Sequence, residues 1–164
     1  MILKLLNKEF YTNLSIIFFI FIIDRLSKLY VIYLSQKNLN LELYSTKYLN
    51  IILIWNDGIA FGLLSSKDNF FYNLTTCLIL VVILILIFLI LKSKGFKKFS
   101  YIMVIGGAFG NLFDRIMYKS VPDFIDVHLN GFHWFIFNIA DIFISIGVIC
   151  LIYDEFFLEK KENG

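Results

Sequence analysis

LILVVILILIFLIL, residues 78–91, contains no side chain that forms a hydrogen bond. Extended back to Phe70, the run meets the roughly 20 helical residues needed to cross about 30 Å of hydrocarbon. A soluble domain must bury such a segment on all sides, and the rest of this chain has too few polar residues to cover it. Of 164 residues, 59% are apolar and 17% charged, against roughly 45–50% and about 25% in an average soluble domain. Mean hydropathy is +0.78. The balance excludes a disordered chain. A net charge of +2, scattered along the sequence, excludes a nucleic-acid binder, which clusters its basic residues. The composition is that of an integral membrane protein.

Three more segments are long and apolar enough to be read as spans. Leu14–Leu34 contains Asp24, Arg25 and Lys28; Phe99–Met117 is apolar until Asp114 and Arg115; Phe137–Tyr153 is interrupted by Asn138 and Asp141. Together with Phe70–Leu91 they predict an all-α membrane protein, a bundle of four transmembrane helices. The first span is not read as a removable signal peptide, because it lacks an A-x-A site and Asp24 breaks its apolar core. Cys77 and Cys150 lie inside apolar runs, where a free thiol packs as a small hydrophobe, and they make no disulfide framework. With no repeat, linker or low-complexity stretch, residues 1–164 read as one domain.

Lysine placement orients the bundle. Lys4, Lys8, Lys92, Lys94, Lys97, Lys98, Lys160 and Lys161 fall on one side, whereas Lys37, Lys47, Lys67 and Lys119 are spread through longer loops on the other. Both termini are therefore expected in the cytoplasm, with loops 35–69 and 118–136 outside. The first outer loop contains YLNIILIW (48–55), β-prone, and then the turn-former NDG (56–58). It reads as a small strand-rich extracytoplasmic platform. The second ends in HLNGFHWF (128–135), whose aromatics suit a lipid–water interface.

Charged groups inside a span are expensive and generally functional. Asp24 and Lys28 are spaced i,i+4 and can pair on one helix face. Gly107, Asn111 and Asp114 form one stripe, and Asn138 and Asp141 stand at i,i+3. Gly106 and Gly110 form a G-x-x-x-G pair, read as a close helix contact. Asp57 reads as a turn residue. His128 and His133 have no cysteine pair nearby, so no metal ligand set is expected from them. Asp123, after Pro122 in an outer loop, and Asp141, within a span, have no obvious permanent counterion. Two carboxylates held close share a proton, one serving as base and the other as acid, the division used by aspartic proteases. Membrane acids also carry protons or cations in transporters. The large one-sided platform and the lack of paired broken helices or repeats favour the enzyme but leave the carrier open.

Five blocks then carry a resemblance: DRLSK (24–28), NDGIAFG (56–62), GGAFGNLFDR (106–115), VPDFID (121–126) and FNIAD (137–141). In this order, on a four-span chain, they resemble lipoprotein signal peptidase (signal peptidase II), the bacterial aspartic endopeptidase family of the prolipoprotein pathway. The resemblance implies that Asp123 and Asp141 are the catalytic pair. It implies that Asn56, Gly58, Asn111, Arg115 and Asn138 surround substrate and dyad, and that Asp24 supports the site; Lys28 and Asp114 belong to the same supporting set. Arg25 stands where the family usually has glutamine, and Pro122 where valine is common. The implied substrate is a prolipoprotein whose cysteine carries a diacylglyceryl group, cut just before that cysteine. No cofactor or metal and no nucleic acid is implied. Membrane lipids are expected around a monomer in the cytoplasmic membrane, with the site towards the outer leaflet.

Overall fold

Helix α3 (Gly95–Tyr118) is the element around which the other helices are arranged. In the computed structural model, which describes residues 8–38, 42–58 and 69–158, it packs against α1 (Lys8–Asn38), α2 (Asn69–Lys92) and α4 (Ile139–Tyr153). The G-x-x-x-G pair explains one contact. A methyl on Gly106 would strike Ile20 of α1, and one on Gly110 would strike the Asp24 carboxylate. Gly107 turns towards the opposite neighbour, where an added Cβ would overlap the Ala140 carbonyl of α4. Small residues thus open two faces of one helix, which is how α1 and α4 both reach it.

Burial in the bundle runs opposite to that of a soluble domain. Asp24, Lys28, Asp114 and Asn138 are fully buried, whereas Phe18, Leu26, Leu84, Ile116 and Ile149 are each more than half exposed. An apolar exterior of this extent marks a surface that faces something other than water. Among the described residues one helix, Tyr72–Lys92 within α2, is long and apolar enough by composition to cross a membrane, with mean hydropathy 3.4. Only 11% of that stretch is buried, so it is not the core helix of a soluble protein. The other three expected spans differ from it in kind. Two carry charges that are paired inside the bundle, and α4 is 15 residues long before a π-helical turn, Asp154–Leu158.

The expected platform exists and is larger than the sequence reading allowed. Strands β1 (Glu42–Ser45), β2 (Leu49–Asn56), β3 (Val121–Leu129) and β4 (Phe132–Phe137) form one antiparallel sheet in chain order. The region 118–136, read as a loop, is therefore mostly a β-hairpin, and the fold is not all-α. Its turn is Asn130–Gly131, both with positive φ (50° and 80°), the backbone that two-residue hairpins require. β2 joins the two outer segments, with Ile51 opposite Ile125 and Ile54 opposite Asp123 across an irregularity in register. Val31, Leu53 and Phe124 form a small core that seats the sheet on the end of α1. A second core of Ile83, Ala108 and Leu112 joins α2 to α3.

The fourth expected span is also corrected at its start. Phe137 ends β4 and Asn138 caps α4, so the helix begins at Ile139. At the other end of the bundle, Lys98 bonds Glu9 at 2.7 Å and Lys97 bonds Glu155 at 3.2 Å. Lys4, Lys67, Lys160, Lys161 and the Gly62 end of the NDGIAFG block lie outside the described residues.

Candidate active site

The chain turns from strand to helix at Asn138, and that turn brings two acids together. The Asn138 side-chain oxygen accepts from the Asp141 backbone N–H at 3.1 Å. The Asp141 carboxylate accepts from the Asn138 N–H at 3.1 Å, which closes a reciprocal cap on the first turn of α4. The remaining Asn138 group, its amide NH2, donates to Asp123 Oδ1 on β3 at 2.6 Å. One fully buried asparagine therefore holds both carboxyl groups. Asp123 Oδ2 accepts from the Asn56 amide at 2.8 Å. Asp141 Oδ1 accepts from the Asn111 amide of α3 at 2.8 Å.

Behind the pair lies a charged cluster. Lys28 Nζ donates to Asp24 at 2.8 Å, to Asp114 at 2.7 Å and to the Asn111 oxygen at 2.9 Å. The expected Asp24–Lys28 pair is present as one edge of a larger network in which Arg25 also pairs with Asp114. Two acids and two bases balance one another in the protein interior, where an unpaired charge costs several kcal/mol. Asp24 has a further role, accepting from the Ala140 N–H at 3.0 Å. The cluster leads to the dyad through Asn111, whose oxygen faces Lys28 and whose NH2 faces Asp141.

Arg115 sits on the other flank, 3% exposed. One guanidinium nitrogen donates to the Gly58 carbonyl, while the Gly58 N–H donates to the Asn56 oxygen at 2.9 Å. The NDG turn and Arg115 thus fix the Asn56 side chain that holds Asp123. Among the described residues, Nε and Nη1 of Arg115 are buried with no hydrogen-bond partner. Tyr72 was not anticipated: its hydroxyl donates to the Arg115 carbonyl and its ring lies 5.9 Å from the guanidinium carbon. No local sequence signal marks it.

All ten residues singled out in the sequence lie in this connected region. Asp126, the competing acid in the same strand, does not join it. Its carboxylate meets His133 Nδ1 at 2.8 Å and the Asn50 amide at 3.0 Å. Asp123 is pushed up to about 6, chiefly by burial and next by the Asp141 charge, against the two amide bonds that favour the ionised form. An acid so placed keeps its proton to a higher pH than an exposed carboxyl does. A cavity of about 320 Å³ opens beside the pair, walled by Leu78, Ile79, Val82 and Leu86 of α2 and floored by Asn111, Asp123, Asn138 and Asp141.

Known proteins resemble the chain over most of its length. The family model described as "Signal peptidase (SPase) II" matches residues 16–157. The chain is 50% identical to the lipoprotein signal peptidase of Pelagibacter ubique (strain HTCC1062), covering 98% of this chain and 97% of that one. It is 38% identical to the lipoprotein signal peptidase of Rickettsia africae (strain ESF-5), covering 99% and 84%. A bacterial membrane enzyme solved by the in meso method at 2.3 Å resolution superposes with a TM-score of 0.76 and 28% identity, over 93% of this chain and 90% of that one.

Proposed function

The chain belongs to the signal peptidase II family, and from that premise we propose a mechanism in which Asp123 and Asp141 are its catalytic pair. It is an aspartic-type endopeptidase that removes signal peptides from prolipoproteins, and a bacterial membrane protein. The carrier reading of its buried acids is set aside. The observation that carries the assignment of the pair is Asn138, which bonds Asp123 and Asp141 at once.

The pair holds one proton between two carboxyl groups. The ionised acid takes a proton from water as that water's oxygen attacks the scissile carbonyl carbon. The protonated acid gives its proton to the carbonyl oxygen. As the resulting diol collapses, one hydroxyl returns its proton to the ionised acid, the C–N bond breaks, and the departing nitrogen takes the proton of the other acid, which leaves the pair with one proton as at the start. Asn56, Asn111 and Asn138 fix the carboxylates through neutral amides, which orient them without tying up their charge. Gly58 and Arg115 keep Asn56 in place, and the two spare Arg115 donors face a substrate backbone carbonyl. Asp24, Lys28 and Asp114 anchor Asn111 from behind.

The substrate is a precursor whose cysteine already carries diacylglycerol, cut just before that cysteine. Each buried methylene adds about 0.8 kcal/mol of anchoring, so two acyl chains hold the cysteine in the outer leaflet at the depth of the dyad. The apolar α2 wall of the cavity suits the hydrophobic part of such a substrate, and the sheet clamps the extended peptide. The four helices span the cytoplasmic membrane as a single domain, residues 1–164, with both termini inside and the sheet outside; the eight lysines on one side support that orientation. The protein works as a monomer surrounded by lipid.

The test is cleavage by purified protein in detergent of one precursor in two forms, with and without the diacylglyceryl group. The modified form is cut, and the unmodified form is cut far more slowly even at saturation, because anchoring supplies positioning. Equal rates would show that the lipid neither recruits nor orients the substrate.

A further inference from the structure

The β3–β4 hairpin carries a second cluster that the dyad does not use. Asp126 and His128 on β3 and His133 on β4 each present one ligand-capable atom, all within 4.8 Å of one another. The register pairs His128 directly with His133, and their rings stack at 4.9 Å between centroids, 19° from parallel. Asp126 is 2% exposed, yet among the described residues its carboxylate meets only neutral Asn50 and the half-exposed His133. An Asp126–His133 ion pair accounts for these two residues and leaves the third unexplained. Among the described residues, His128 Nδ1 is buried with no hydrogen-bond partner, although a buried polar atom normally finds one.

We propose that Asp126, His128 and His133 form a transition-metal site on the outer sheet, one that takes Zn²⁺ with water completing the shell. Two imidazoles and a carboxylate are the donor set zinc accepts, at about 2.0–2.2 Å from each ligand atom. Tetrahedral bonds of that length set ligand atoms roughly 3.3 Å apart. The Asp126 oxygens already lie 2.8 and 3.0 Å from His133 Nδ1, and a rotation of the half-buried His128 ring brings in the third ligand. Asn50, which donates to Asp126 Oδ2, is the outer partner that orients the carboxylate. Zinc binds an imidazole through a ring nitrogen that carries no proton, so binding weakens in acid. The ion takes no part in the peptide-bond chemistry. It ties β3, which carries Asp123, to β4, which runs into Asn138 and Asp141, and so clamps the hairpin that separates the two acids in sequence.

The experiment is zinc binding by tag-free protein in detergent, measured by equilibrium dialysis, with the visible absorption of Co²⁺ as a report of ligand geometry. No cleavage enters the readout, so the result stands apart from the assignment of the dyad. One equivalent of zinc is expected, with a four-coordinate Co²⁺ spectrum and a rise in unfolding temperature on adding metal. His128→Ala is the discriminating variant, since it leaves the Asp126–His133 pair intact. It should weaken binding by more than the roughly 10–100-fold that loss of an outer-shell partner costs. His128→Ala/His133→Ala should bind none and should unfold at the same temperature with and without added metal. Zinc binding unchanged in His128→Ala, or no stoichiometric binding by the wild type, overturns the site and leaves an ion pair only.

Discussion

Replacing Lys28 with methionine tests whether the charged cluster holds the dyad in place. The side chain is 0% exposed and methionine nearly matches its length, so packing is largely kept while one positive charge is removed. Its three bonds, at 2.7, 2.8 and 2.9 Å, go to two acids and an amide. Arg25 continues to neutralise Asp114, which leaves Asp24, among the described residues, with only the Ala140 N–H. Removing one partner of a buried pair costs about 3–5 kcal/mol. At roughly 2–4 °C per kcal/mol for a chain of this size, unfolding should fall by about 6–20 °C. Thermal unfolding in detergent, followed by the fluorescence of Trp55 and Trp134, measures it. Lys28→Met/Asp24→Asn removes the stranded charge as well and should recover part of the loss. Turnover should fall in both variants with little change in KM, because Asn111 has lost the anchor for its oxygen. A single variant as stable as the wild type, or a double variant less stable than the single, would refute the reasoning.

Asp123→Asn and Asp141→Asn should each lower turnover by at least the ~10²–10⁴-fold that general acid–base assistance is worth, in folded protein, whereas Asp126→Asn stays active; cleavage rates of the modified precursor decide it, and a dead Asp126→Asn beside an active Asp123→Asn would reverse the assignment. Asp123 is pushed up to about 6 from an ordinary 3.8, so the folded state holds a proton that the unfolded state releases first, and this group's contribution to stability is greatest in acid and declines between pH 4 and 6. The stability difference between wild type and Asp123→Asn, followed by unfolding across that range, should fall as pH rises and level off above it; a difference that rises contradicts the buried environment. A cysteine at position 94, in a background with Cys77 and Cys150 replaced by serine, should be labelled only once the cytoplasmic face is opened, and labelling of intact cells by an impermeant reagent would invert the topology. In His128→Ala/His133→Ala, which lacks the proposed zinc ligands, chelators should leave the cleavage rate unchanged, and activity lost on chelation and restored by zinc in that variant would place a metal in the chemistry.

What was legible in the sequence was what depends on neighbouring residues. The Asp24–Lys28 pair, the Gly106–Gly110 contact and the Asn138–Asp141 link all follow from helical spacing, and all are present. The illegible part joins distant positions. Arg25 finds Asp114 89 residues away, Asn50 finds Asp126 76 away, and Tyr72 finds the Arg115 carbonyl 43 away. No local pattern encodes such partners. Two misreadings had a signal that was available. Asn130–Gly131 is the dipeptide of a tight hairpin, yet the aromatics around it suggested an interfacial loop. Asn138 followed by an acid three residues later is a helix-start signature, yet its apolar neighbours drew it into the span.

The cap on α4 has a consequence for biogenesis. Its backbone donor at Ala140 is satisfied by Asp24, 116 positions earlier, and both Asp24 and Ala140 are fully buried. A chain emerging from the ribosome makes α1 long before α4 exists, and the Ala140 donor in the first turn of α4 gains its partner only when α1 has come to lie beside it. The two acids are thus brought into register only when the last helix to be synthesised meets the first. A partly inserted chain has no working peptidase in it, and hydrolysis begins with the completed bundle.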